Sequence, residues 1–489
     1  MANKHIIGID LGTTTTLVAR FNEAGKSEIT NNAEGSAITP SVIQLDSSGG
    51  VIVGTEAKKF LGTGEPNVFA EFKREMGTDK SWLIDNKNVT PIQLSALLLK
   101  KVVADYAEQY GQPDTVVITW PANYRNEQRE ATKEAAARAG LKVEYFIEEP
   151  TAAALYYATD KPLSGKYLVY DFGGGTFDVT LIEAHGNDIT VLYQDGVQQL
   201  GGKDLDNALL KIIGDKFRAK TSDEFDAVDC NFSKLDIESA KHTLSTKDKT
   251  QIRLVSAKHG PIVIDLTRDE FEAGISHLVS QAEMACENVL RCGKDDPSQY
   301  VNKSDIKEIF MAGGTSRVPA MQASVERLFG KKPTVKNPDQ AIALGAAIYA
   351  AINTQGLSGL QKAAVADIDV SLITPHYFGM TVLEDDGSDT YNDTLIAKGE
   401  KLPFKVTKTY VTFSNNQTNV KCDVTQSAIP ERNSLYVSKI WEGNLPLPPG
   451  RPAGQKIEVT YEYDINGMMQ CSFKDVQTGK IVKIDIKPS

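Results

Sequence analysis

The chain has 489 residues, 41% hydrophobic and 24% charged, a balance that excludes disordered and fibrous classes and calls for two or three domains. Lysine and arginine number 53 against 64 aspartates and glutamates, a net charge of −11, which argues against bulk electrostatic binding to nucleic acid or an anionic membrane. The 5 cysteines are scattered and lack a C-x-x-C pair, so neither a disulfide framework nor a zinc site is expected, and a reducing compartment fits.

Lys4-His5 runs straight into the strand-like Ile6-Ile7-Gly8-Ile9, with no apolar leader in front of it. Thr90-Pro91-Ile92-Gln93 reads as a capping box with proline in the first turn of a helix that Gly111 closes. A strand at 115–119 and a helix at 126–140 follow. A helix at 150–157 begins at Pro150, and another at 233–246 carries Glu238, Lys241 and Ser245 on one face. Thr267-Arg268-Asp269-Glu270 caps a helix expected to run to about 293, and Asn337-Pro338-Asp339-Gln340 opens one more. The apolar stretch from Ala341 to Ile352 is well short of the roughly 20 residues a membrane span needs. The chain therefore reads as soluble and cytoplasmic, with no nucleic-acid or membrane partner.

Up to about residue 355 strands and helices alternate, the pattern of an α/β fold. After about 370 only short strand-like runs remain, at 407–413, 420–425, 457–463 and 468–473, separated by Asn, Gly and Pro turns. The expected division is an α/β domain at 1–360, a linker at 361–372 and an all-β domain at 373–489.

An apolar strand ending in aspartate and then a Gly/Thr turn occurs twice, at Ile9-Asp10-Leu11-Gly12-Thr13 and at Tyr170-Asp171-Phe172-Gly173-Gly174-Gly175-Thr176. A third Gly-Gly turn stands at Gly313-Gly314-Thr315. A duplicated lobe with a cleft between its halves accounts for the pattern. Such turns let phosphates approach backbone N–H groups closely, and a strand-end aspartate can hold hydrated magnesium. Taken singly each is equally a plain tight turn. Glu238 and Lys241 can bracket ribose hydroxyls or form a solvated ion pair. Lys73 can stabilise charge on a transferring phosphoryl group or be an ordinary surface lysine; Glu149 can accept a proton from water or simply suit a helix N-terminus.

Taken in chain order, these motifs resemble the seventy-kilodalton heat-shock (DnaK-type) chaperones over essentially the whole chain. Gly8-Ile9-Asp10-Leu11-Gly12-Thr13-Thr14 resembles the first phosphate loop of that family, the 171–178 segment the second, and Gly313 to Pro319 the adenosine turn. Glu149-Pro150-Thr151-Ala152-Ala153-Ala154-Leu155 is very specific to the family, and Asn416-Gln417-Thr418 with Ile457 to Tyr461 resembles its peptide-binding sandwich.

The resemblance implies an actin-like duplicated two-lobe ATPase followed by a β-sandwich, with ATP or ADP and Mg2+ as cofactors. Asp10, Lys73, Glu149, Asp171, Thr176 and Asp178 would be catalytic, with Asp10 and Asp171 holding magnesium through water. Gly12, Thr13, Thr14, Thr15, Gly174, Gly175, Gly201, Gly202, Glu238, Lys241, Ser245, Gly313, Gly314, Thr315, Arg317 and Asp339 would surround the nucleotide. Pro121 and Arg129 would relay nucleotide state. Met380, Leu383, Phe413, Val420, Cys422 and Met468 would line the peptide cleft, although Cys422 and Met468 suit sandwich core as well. Extended polypeptide clients, J-domain cochaperones and a nucleotide exchange factor are the partners implied. A small-molecule kinase, an actin-like filament and a catalytically weak scaffold remain as alternatives.

Four departures stand out. The linker Val365-Ala366-Asp367-Ile368-Asp369-Val370 lacks the usual leucine run, which leaves less apolar surface to bury on docking. Tyr145 and Glu148 replace a common arginine and asparagine. The stretch from Gly77 to Thr90 is short. The sequence reaches Pro488-Ser489 where a helical lid would begin, so fast peptide exchange is expected.

Overall fold

The computed structural model describes residues 4–485, except 47–48, 62–64, 85–86, 160–162, 187, 293–296, 358, 375, 385 and 465–467. Two sheets of one plan dominate the first 370 residues. In the first, Ile6–Leu11 has antiparallel Thr15–Phe21 and then Ser27–Ile29 on one side, and parallel Thr115–Trp120 and then Tyr145–Glu148 on the other. In the second, Leu163–Phe172 has antiparallel Phe177–Gly186 and Asp188–Val197 on one side, and parallel Ile306–Ala312 and Thr334–Val335 on the other. Strand for strand the order repeats, which is the duplication that the recurring Asp-Gly turn implied.

The helices Glu149–Ala158 and Ala341–Asn353 pack between these sheets. Every residue from Ala341 to Ala351 is buried, so the longest apolar stretch in the chain is a core helix. None of the described helices is long and apolar enough to cross a membrane. Backbones approach unusually closely here: a Cβ on Gly345 would lie 1.7 Å from the Ala152 carbonyl oxygen, and one on Gly8 would lie 2.2 Å from the Ala347 nitrogen. Only glycine fits at either position.

One expectation needs correction. The helix expected from Thr267 to about 293 is two helices, Arg268–Gly274 and Ser276–Leu290. Gly274 holds a helix weakly, and Ile275 leaves helical geometry, at φ −98 and ψ 2, while burying its side chain completely. The segment expected as a linker is structured. Helix Gly359–Val365 continues into it, with Gln361 donating to the Phe21 carbonyl at 3.2 Å, and Asp369–Ser371 then pairs in parallel with Asp188 to Thr190 at the edge of the second sheet. Ile368 and Val370 pack on the core there, so the short apolar run does dock. Between Gly77 and Thr90 a small hairpin remains, Trp82–Ile84 with Lys87–Val89.

From 366 onward the described residues contain no helix. Strands Tyr377–Leu383, Thr390–Ile396, Asn419–Ser427 and Ser438–Pro446 form one sheet, and Phe404–Val411, Lys456–Tyr463, Met469–Asp475 and Ile481–Asp485 the other. Alternate residues such as Val459, Tyr461 and Tyr463 fill the space between the sheets. The buried Tyr461 hydroxyl donates to the Gly379 carbonyl at 2.8 Å, which ties one sheet to the other. The sandwich rests on the α/β part, because Leu372 and Ile373 belong to its inter-sheet core and Met468 to the first-lobe cluster of Trp120 and Tyr124.

At the rim of the sandwich, Arg451 donates to both oxygens of the buried Asp475, at 2.6 and 3.1 Å, with Thr478 adding a third bond at 2.6 Å. The hydrogen bonds from Arg451 hold this carboxyl down at about 2, below the ordinary 3.8. Its stabilising contribution is therefore complete above 3.8 and is lost as pH falls through about 2. Asp475→Asn is expected to cost about 3 kcal/mol at neutral pH, since it strips the partner from a sheltered guanidinium. In urea unfolding the gap between variant and wild type should shrink steadily below pH 4.

Candidate active site

The two Gly/Thr turns end corresponding strands of the two sheets and meet in the cleft between the lobes. A Cβ on Gly174 would fall 2.4 Å from Thr14 Oγ1, and one on Gly175 would fall 2.5 Å from Thr13 Oγ1. The loops interlock because neither glycine has a side chain. Each loop is also internally braced. Ser41 Oγ donates to the Gly12 carbonyl at 2.8 Å, the Gly173 N–H bonds the Thr176 carbonyl at 3.1 Å, and Thr315 Oγ1 donates to the Gly173 carbonyl at 2.8 Å.

Beneath the loops lies a concentration of buried charge. Lys73 Nζ donates to Glu149 Oε1 at 2.6 Å, and both side chains are buried. Burial alone would lower the lysine pKa, but the charge and hydrogen bond of Glu149, together with Tyr124 and Asp10, outweigh it and the net shift is upward, so the ammonium stays charged. Asp10 ends the first strand, where Thr119 Oγ1 donates to it at 3.5 Å. Asp171 ends the equivalent strand and stands in register with Asp178 across the hairpin. The Asn123 N–H of the first lobe reaches Asp178 Oδ1 at 3.3 Å. Burial and the Glu149 charge push Asp10 up to about 7 and Asp178 up to about 8, and burial raises Asp171 as well. Asp171 Oδ1 and Asp178 Oδ2 have no hydrogen-bond partner among the described residues. Crowded carboxylates with unused buried oxygens are under-compensated, and a cation is the group that would balance them.

The cleft has a volume of about 690 Å³ and extends from these aspartates to a more open end. Of the residues expected around a nucleotide or its phosphates, Gly12 to Thr15, Gly174, Thr176, Gly202, Glu238, Lys241, Ser245, Gly313, Gly314, Thr315, Arg317 and Asp339 line it. Gly175 lies within the second loop against Thr13, Gly201 stands behind that loop and Asp178 lies below the lining, so these three support the cleft without walling it. At the open end Arg317 Nε donates to Asp339 Oδ2 at 2.8 Å. Lys241 is anchored on Asp206 at 2.8 Å and on the Gly202 carbonyl at 3.0 Å. Glu238 pairs across the cleft with Lys58 at 2.7 Å and makes no ion pair with Lys241. Lys58 and His242 both line the cleft and escaped the sequence reading. Lys58 sits on the four-residue helix Thr55–Lys58, where a pair of lysines reads as ordinary surface.

The relay expected of Pro121 and Arg129 falls at the junction of both lobes and the sandwich. Arg129 is 1% exposed. It donates to Glu148 Oε1 at 2.8 Å and to the Tyr124 carbonyl at 3.2 Å, and it lies 5.0 Å over the Trp120 ring. Glu148, the unusual residue before Glu149, is thus the arginine's counter-ion. Gln194 of the second lobe donates to the same Glu148 oxygen at 3.4 Å, and Tyr463 and Asp464 of the sandwich face Arg129. Pro121 is buried beside it.

The peptide-cleft expectations divide. Leu383 and Phe413 are exposed, 40% and 60%, and Phe413 lies against Gly387. Val420 is half-buried. Met380 and Cys422 are core, because strand alternation puts them on the inner face with Phe378 and Val424. Met468 is buried against the first lobe.

Comparison with known sequences agrees with this architecture. The Hsp70 protein family profile matches residues 6–85 and 81–489. The chaperone protein DnaK of Thermotoga neapolitana is 37% identical over 489 residues, 97% of this chain and 79% of that one. DnaK of Thermosipho africanus is 37% identical over 500 residues, 98% of this chain and 80% of its own length. A two-lobe α/β unit with a β-sandwich defines a protein class, and the chain belongs to the Hsp70 family of molecular chaperones.

The buried pair at the lobe junction makes Arg129→Ala a stability lesion. The variant leaves the Glu148 carboxylate buried without its cation, at a cost of about 3–5 kcal/mol. Denaturant unfolding is expected to show that loss, and adding Glu148→Gln should recover part of it. Equal stability of wild type and Arg129→Ala would refute the assignment.

Proposed function

We propose that the cleft binds ATP and hydrolyses it to control how the sandwich holds extended apolar polypeptide segments. The observation that carries this reading is the meeting of two interlocked Gly/Thr loops directly above the buried Lys73–Glu149 pair and the three aspartates. In the proposed domain division, residues 1–360 bind nucleotide, 361–372 connect and 373–489 bind peptide. Residues 486–489, on which the expectation of a missing lid rested, lie outside the described residues.

Hydrolysis requires a water to attack the γ-phosphorus while the bond to the bridging oxygen breaks and its electron pair leaves on ADP. Lys73, fixed by Glu149, supplies positive charge where the transferring phosphoryl group carries negative charge. A proton of the attacking water passes to Glu149. The two loops hold the phosphates, with Thr176 at the γ-phosphate end, and Glu238, Lys241, Ser245 and Arg317 receive the nucleoside. The unused oxygens of the aspartates suit a divalent cation, which Asp10 and Asp171 would hold. No three His, Cys, Asp or Glu side chains among the described residues converge as direct ligands, so the ion would keep most of its waters. Bound there, magnesium neutralises phosphate charge.

Leu383 and Phe413 are the exposed apolar residues offered to a client, with main-chain bonds to an extended segment supplying the rest. A J-domain cochaperone, a nucleotide exchange factor and a cytoplasmic setting belong to the same reading.

Lys73→Ala decides it. The lysine acts mainly on transition-state charge, so single-turnover hydrolysis of ATP should fall at least about a hundredfold while ATP affinity changes by less than about tenfold. Unchanged turnover would overturn the catalytic assignment.

A further inference from the structure

Lys73 stands between two residues whose side chains leave the first lobe. Glu71, two positions earlier, pairs with Lys203, and Arg74, the next residue, pairs with Asp204. Lys203 and Asp204 are consecutive in the first turn of the Gly202–Thr221 helix. That turn is fastened to the second phosphate loop, because the N–H groups of Gly202 and Lys203 bond the carbonyls of Gly173 and Gly174 at 3.0 Å. Arg74 reinforces the same place. Its Nη2 donates to Asp204 Oδ2 at 2.5 Å and to the Gly175 carbonyl at 2.9 Å. The Asp204 carboxylate also accepts from the Gly201 N–H at 2.8 Å, so one side chain holds both the helix start and the guanidinium.

Polarity is reversed between the two pairs. In the first an acid of lobe one faces a base of lobe two; in the second a base faces an acid. A slip of one position would set Glu71 against Asp204 or Arg74 against Lys203, like against like, so the arrangement selects a single register. The partners are mostly sheltered, Arg74 at 12% exposure and Asp204 at 21%, where salt screens little. Glu71 also adopts φ 61, a left-handed conformation that residues other than glycine rarely take, and it opens the short Phe72–Glu75 turn that carries Lys73. The backbone is held there against its own preference, and the side chain of the same residue is tied to the opposite lobe.

We propose that Glu71–Lys203 and Arg74–Asp204 form a clasp across the phosphate end of the cleft that positions Lys73 against the second phosphate loop. Cleft closure and arming of the lysine are then one event. The four are positioning residues, acting through Lys73. Glu71 and Lys203 border the cleft, whereas Arg74 and Asp204 lie outside its lining, so truncating Arg74 removes no nucleotide contact. The inference rests on the ATPase reading above.

Arg74→Met is expected to slow single-turnover ATP hydrolysis about tenfold to a hundredfold, with ATP affinity within about threefold of wild type, as for a displaced catalytic group. Arg74→Lys should recover part of the rate. Glu71→Lys and Lys203→Glu should each slow hydrolysis comparably, and the double variant Glu71→Lys/Lys203→Glu should return to within about threefold of wild type, because the swap restores the pair. Wild-type turnover in Arg74→Met, or a double variant no faster than the singles, overturns the clasp. A second readout is independent of turnover. Hydrogen exchange of the 71–78 amides without nucleotide should accelerate in Arg74→Met and in each single reversal, and return towards wild type in the swap. If the wild type hydrolyses no ATP, the ATPase reading fails and exchange alone decides: acceleration that the swap reverses supports the clasp, and unchanged protection overturns it.

Discussion

Everything in the α/β part depends on backbone meeting backbone where the Ala341–Asn353 helix crosses Glu149–Ala158 and Ile6–Leu11. With Gly345 against the Ala152 carbonyl and Gly8 against Ala347, there is no room for even one extra carbon. The two sheets are thereby held at fixed separation, and the strand ends carrying Asp10 and Asp171 face one another across the cleft. The loops beyond those strands can then interlock, glycine against threonine, without a flexible side chain between them. Precision at the phosphate end is inherited from packing some distance away.

The charges follow the same logic. A buried lysine, a buried glutamate and three buried aspartates are a costly combination for a stable core. Geometry makes the combination useful: Lys73 is neutralised by Glu149, and two aspartate oxygens are left without partners. The second buried pair, Arg129 with Glu148, lies one residue from Glu149 along the chain. Consecutive carboxylates thus point to different tasks, one toward the cleft and the other toward the junction with Gln194 and the sandwich.

How much of this was legible in the sequence depended on range. Local chemistry was plain. The capping box at Thr90, the repeated Asp-Gly turns and the alternation of Val459, Tyr461 and Tyr463 each specify their own geometry within a few residues. The doubled sheet followed from recurrence, and the cleft residues from their resemblance to a known arrangement. Long-range pairing was not legible. Nothing near Lys58 announces Glu238, and nothing near Glu71 announces Lys203, because each partner is an ordinary charged residue in its own neighbourhood. The break at Ile275 was hidden because one capping box and continuous apolar spacing read as a single helix. Met468 stayed open for a related reason: an apolar residue at a strand end suits a groove, a core or a neighbouring lobe, and only the docked arrangement chooses.

The Asp369–Ser371 strand has a consequence of its own. It is the outermost member of the second sheet, and its parallel pairing occupies main-chain groups of Asp188 to Thr190. Withdrawal of this short segment would convert a satisfied sheet margin into a bare one, with unpaired N–H and C=O groups beside the buried Ile189 and Val191. The connection between the two halves of the molecule is therefore also a guard against self-association. Any state in which this segment is withdrawn carries an adhesive edge, and its lifetime is bounded by how soon that edge is covered again.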